Sequence, residues 1–160
     1  MNKKFLFFVV TALIMSMLFM TGCGKKASVK GDLKNLDQKV TDILSTFQTD
    51  AQKINANLSK AEQYKKFEEL SKNAQKEIKA IDVKTEEVKK LYKVLLAGFD
   101  ESTESISTMA EAAEKNNDQA LFNKAMSQSK DSAKTLNDFY KKSKALAKKE
   151  GVTLKMKKFE

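Results

Sequence analysis

From Asp32 to Ala147 the apolar residues recur at alternating intervals of three and four, and the chain holds no proline to interrupt them. That spacing places the apolar side chains of each segment on one stripe of an α-helix. The alternation of period two that marks a half-buried strand is absent until the last ten residues. The body is therefore expected to be all-α, and helices with one apolar stripe bury it only against one another.

Four segments share the pattern. The first carries Leu33, Leu36, Val40, Ile43, Phe47, Ala51, Ile54 and Leu58, with Asp32 as its expected N-cap. Ser59 and Glu62 then match a capping box, in which a serine hydroxyl and a glutamate three residues on satisfy each other's backbone amides. That match predicts a new helix carrying Tyr64, Phe67, Leu70, Ala74, Ile78 and Ile81. After a turn around Asp82 to Glu87, a third helix runs through Val88, Leu91, Leu95, Phe99, Ile106, Met109 and Ala113. Lys115-Asn116-Asn117-Asp118 reads as an interhelix turn, since asparagine tolerates left-handed backbone. The fourth helix uses Phe122, Ala125, Met126, Ala133, Leu136, Tyr140 and Ala147, and Gly151 is its expected C-cap.

Short connections make successive helices antiparallel, so the expected fold is an up-down-up-down four-helix bundle over residues 32–150. Three long helices, with the first two fused, are the alternative. The expected lengths are about 25, 23, 31 and 32 residues, so the last two helices are roughly 8 to 10 Å longer and their hairpin protrudes.

The start of the chain is different. Asn2, Lys3 and Lys4 precede an uncharged run from Phe5 to Met20, and the sole cysteine of the chain follows in Met20-Thr21-Gly22-Cys23. A short basic region, an apolar run and small residues are the layout of a secretory signal. Residues 20–23 resemble a bacterial lipobox, in Thr21, Gly22 and Cys23 more closely than in Met20. The resemblance implies cleavage between Gly22 and Cys23 and diacylglyceryl modification of the Cys23 sulfur, with residues 1–22 as a lipoprotein signal peptide. The competing reading is an uncleaved membrane anchor. Its sixteen-residue run spans only about 24 Å as a helix, against a hydrocarbon core of roughly 30 Å. Residues 23–31, polar and glycine-flanked, read as a tether that keeps the body close to the bilayer.

Composition narrows the chemistry. The chain has no histidine and no arginine, and its one thiol is the expected acyl site. The commonest general base and the usual nucleophile pairings are therefore missing, and the chain is read as non-enzymatic, with no metal or other cofactor. Adjacent carboxylates such as Glu86 and Glu87 point about 100° apart on a helix and do not converge. The acids of Asp100 to Glu114 follow no calcium-loop spacing.

The net charge of +9 is concentrated at the C-terminus, where residues 141–160 hold eight lysines and two acids. In an up-down-up-down bundle the end of the fourth helix lies beside the start of the first, next to the tether. Lys25, Lys26, Lys30, Lys148, Lys149, Lys155, Lys157 and Lys158 are therefore expected to face the membrane and to meet anionic lipid or an envelope polyanion. The basic tail, 151–160, alternatively lies as an extended strip on the bundle, because Val152, Leu154 and Met156 alternate with polar residues. Nucleic acid is an unfavoured partner for a secreted chain without arginine.

Leu91, Tyr92, Leu95, Leu96 and Phe99 make the third helix apolar nearly all round. Such a stretch is either the centre of the bundle or a patch for a partner helix or apolar ligand. The chain as a whole resembles small helical lipoproteins of Gram-positive bacteria. The expected function is a surface interaction module, lipid-anchored on the extracytoplasmic face of the cell membrane and binding a protein, an envelope polymer or the anionic membrane itself. The alternative is a carrier of a small apolar ligand or lipid.

Overall fold

The structure is a computed structural model that describes residues 27–159. The expected leader, the cleavage site at Gly22 and Cys23, Lys25 and Lys26 lie outside those residues, as does Glu160. Four helices follow in order: α1 (Val29–Gln52), α2 (Lys60–Lys79), α3 (Glu86–Glu114) and α4 (Gln119–Glu150). They form a four-helix bundle, and α3 with α4 is its most extensive pairing.

The caps explain where the helices begin. Ser28, not Asp32, caps α1, and its hydroxyl accepts from the Gly31 amide at 3.1 Å. Helix α1 thus starts within the expected tether. Asp32 is buried in the first turn and reaches another helix: its carboxylate accepts from the amides of Lys84 and Thr85, at 3.0 and 2.7 Å, and from the Thr85 hydroxyl. It thereby satisfies two backbone donors just ahead of α3 and fixes the α2–α3 connection onto α1. The capping box of Ser59 and Glu62 forms at the head of α2. Helix α1 ends at Gln52, before Ile54 and Leu58, and residues 53–59 make turns. The Asn55 side chain accepts from the Asn57 amide, a local bond that competes with helix propagation. Asn116 and Asn117 take positive φ at the α3–α4 turn, Asp118 caps α4, and Gly151 ends it in the left-handed conformation.

Helix α1 is short for the bundle. Its Phe47 and Asp50 lie beside Ala74 and Asn73 of α2, ten residues from Tyr64. Beyond that level α2, α3 and α4 continue without α1, with Tyr64 against Phe122 at 6.1 Å between ring centroids and Lys65 3.6 Å from Glu114. The tether end is therefore a four-helix layer and the far end a three-helix one.

The two layers are packed with different residues. Leu33, Leu36, Val40, Ile78, Val88, Leu95 and Phe139 are fully buried at the tether end. The buried residues of the far end are small or hydroxylated, among them Ser105, Thr108, Ala110, Ala112 and Ala125. Ser105 donates to the Ala125 carbonyl at 2.8 Å, and Ser132 to the Gly98 carbonyl at 2.9 Å. Gly98 lets α3 lie close against α4, since a Cβ there would stand 2.7 Å from Leu136 Cγ.

The C-terminal tail does not extend past the tether end. After Gly151 it doubles back along α4 in an extended run, on the α1 side of the bundle. The cause is Asp37, a buried α1 carboxylate that accepts from the amides of Lys155 and Met156 at 2.7 and 2.9 Å. Met156 is buried, Val152 and Leu154 are half-buried, and Phe159 packs its ring against Phe99 and Phe139. The strip expected from the alternation of Val152, Leu154 and Met156 is present, without a strand partner. Every residue of the described core lies between Leu33 and Met156, so a chain beginning at Gly24 carries all of it.

Candidate functional site

The tether end brings together the start of α1, the α2–α3 connection, the start of α3 and the end of α4. Residues 29–37, 76–93 and 141–151 hold thirteen lysines and seven acids. Outside that end and the tail, the described chain holds ten lysines and thirteen acids. The helices thus carry a charge polarity along the bundle, positive at the end where α1 begins and slightly negative over the remainder.

Four of the seven acids of the positive end are engaged. Asp32 and Asp37 are buried on backbone amides. Asp82 pairs with Lys84, and Glu86 with Lys89 at 2.8 Å. The hydrogen bond from Lys89 holds the Glu86 carboxyl below its ordinary range and raises the lysine correspondingly. Lys30, Lys90, Lys148 and Lys149 make no ion pair among the described residues, and Lys30, Lys148 and Lys149 are exposed. Lys141, Lys144 and Lys148 rim a groove between α4 and the tail, and its floor is Ala147, Val152, Leu154 and Met156. A surface of this kind, basic at the rim and apolar beneath, matches an anionic amphiphile or a charged bilayer surface in chemistry.

The residues picked from sequence divide into two sets. Lys30, Lys148 and Lys149 sit at the tether end. Lys155, Lys157 and Lys158 are exposed but lie on the flank, because the tail runs away from that end; the Lys155 ammonium donates to Gln38, about 13 Å along α1 from its start. The apolar stretch of α3 is core. Leu91, Leu95 and Phe99 are buried, Leu96 and Tyr92 are half-buried against the same cluster, and the Tyr92 hydroxyl donates to the Ile78 carbonyl at 2.8 Å. That burial pushes the Tyr92 phenol above its ordinary range. Among the large hydrophobics of the described residues, Met126 alone is exposed, at 52%. No apolar docking face accompanies it.

Two functional elements escape a reading by periodicity alone. Asp37 falls on the buried stripe between Leu36 and Val40, and an acid at such a position was the available signal for a specific partner. Lys84 joins the basic end only once the connection after α2 is folded against α1.

The chain matches no family model, and comparison with curated proteins and with solved structures gives no match either.

Proposed function

We propose that the chain is a lipoprotein held on the extracytoplasmic face of a membrane through acylated Cys23, and that it acts as a non-enzymatic interaction module. The basic end of the bundle seats on the anionic surface beside the anchor. The supporting observation is the charge polarity: the positive end of the bundle is the end from which the tether departs. Two acyl chains hold the protein far more firmly than one, at about 0.8 kcal/mol per buried methylene, so the basic surface serves to orient the body and not to retain it. Each lysine that reaches the headgroups adds about 1 kcal/mol to the seated orientation. The far end, without excess positive charge, then projects from the membrane toward a protein or polymer partner.

Metabolic labelling with palmitate tests the anchor. Label is expected in the wild type and not in Cys23→Ser, which is expected to leave the membrane fraction or to retain its leader. A Cys23→Ser protein of mature size that still sediments with membranes would overturn the reading.

A further inference from the structure

The bundle has a cavity that the expected function does not use. On the α1 side of α4, Phe159 of the tail packs its ring against Phe99 and Phe139. Beside it lies a pocket of about 270 Å³, open to solvent on one side, to which all four helices and the tail contribute. Its apolar wall includes Phe47, Phe99, Leu136 and Phe159, and its polar atoms are the hydroxyls of four serines, Ser71, Ser102, Ser129 and Ser132. Among the described residues no charged side chain lines it.

We propose that this cavity binds a small uncharged molecule with an apolar body and one hydrogen-bond acceptor. Size is set by volume: water occupies about 30 Å³ in the liquid, so the cavity holds about nine waters or a ligand of about ten non-hydrogen atoms. Neutrality follows from the inner wall, because a carboxylate or ammonium group carried in to the buried Ser71 would give up much of its hydration and find no opposite charge among the described residues there. The acceptor follows from the hydroxyls. Ser71 and Thr103 are both buried and share one hydrogen bond at 3.0 Å, in which either is the donor. The pair carries two hydroxyl hydrogens and uses one, and neither hydroxyl makes a second hydrogen bond among the described residues. With Thr103 donating, the Ser71 hydrogen is left for a ligand oxygen in the cavity. Ser132 is already engaged, donating to the Gly98 carbonyl. Phe159 closes the cavity on the tail side, so entry of a ligand is coupled to the seat of the last residues. This inference deepens the carrier alternative and is independent of membrane seating.

The test uses the chain from Gly24 onward, which contains the whole described core, with 2-nonanone as the neutral probe and nonanoate at neutral pH as its charged counterpart. Backbone amide NMR is expected to show saturable one-to-one binding of 2-nonanone, with shifts centred on Ser71, Ser132 and Phe159. Nonanoate is expected to bind at least tenfold more weakly. Ala133→Phe, which fills the cavity from α4, should weaken 2-nonanone at least tenfold, and Ser102→Leu does the same from α3 should the first variant misfold. Ser71→Ala should weaken the ketone severalfold. Equal affinity for the two probes, shifts centred elsewhere, or undiminished binding by a folded cavity-filled variant would overturn the proposal. Ala133→Phe should leave vesicle binding through the basic end unchanged, so the two readings fail separately.

Discussion

The tether end and the far end of this bundle are built from the same helices by opposite means. Around Leu33, Leu95 and Phe139 the chain buries branched and aromatic side chains, and it adds two buried carboxylates that bind segments distant in sequence. Around Ala110 and Ala125 it brings α3 and α4 together on small residues and hydroxyl groups. Bulky side chains gain more from burial, roughly 1.5–3 kcal/mol each, whereas small ones gain little and rely on close backbone approach. The contrast implies that stability resides at the end where α1 begins and that the far end is the more easily opened part.

The largest effects should separate the ends. Phe139→Ala or Leu95→Ala is expected to destabilise by about 3–5 kcal/mol, as large-to-small changes at fully buried sites do. Thr108→Ala at the far end should cost less than about 1.5 kcal/mol, since its hydroxyl bonds only the carbonyl one turn back. Equal losses in urea melts would erase the distinction. Asp37→Ala comes next, at about 3 kcal/mol, because it strands two tail amides that now bond a charged acceptor. Its sharper signature is tail release, measured as faster tryptic cleavage after Lys155, Lys157 and Lys158.

Smaller changes refine the picture. Ser59→Ala removes the capping box of α2 and should cost about 1 kcal/mol. Ser143 is the odd residue of the tether end, fully buried with no partner for its hydroxyl, and Ser143→Ala is expected to stabilise by about 1 kcal/mol. The two ends should also respond oppositely to pH. At the far end Glu68 is held below its ordinary range by Lys72 and then by Ser107. Its contribution is present above the unfolded carboxylate pKa and lost as pH falls through the lowered one. At the tether end burial raises Tyr92, so its contribution is full below about pH 10, the unfolded value, and lost as pH rises further. Thermal melts of Glu68→Gln and Tyr92→Phe should flatten the acid and alkaline limbs respectively; a flattening of the same limb by both would break the assignment.

Most of the fold could be read from periodicity and caps. The stripes from Leu33 to Ala147 located four helices, and Ser59, the turn at 115–118 and Gly151 located three of their boundaries, because those signals are local. Asp32 misled for the same reason: an acid before an apolar run looks like a cap, and only the folded α2–α3 connection reveals its bonds to Lys84 and Thr85. The tail lysines were drawn toward the membrane by topology alone, but Asp37, over a hundred residues away, turns the chain back. Leu91 to Phe99 could be core or patch from sequence, and contact with three neighbouring elements decides for core. The cavity was illegible in the sequence because its lining comes from four helices and the tail, segments far apart in the chain.

The central claim is that the basic end seats on an anionic membrane surface, and vesicle co-sedimentation of the chain from Gly24 onward tests it most directly. Binding to vesicles containing an anionic phospholipid should exceed binding to zwitterionic ones, fall as salt is raised, and drop more for Lys84→Gln, Lys148→Gln, Lys149→Gln combined than for Lys155→Gln, Lys157→Gln, Lys158→Gln combined. Equal binding to both vesicle types, or a triple variant of the tether end that binds like the wild type at low salt, would contradict it.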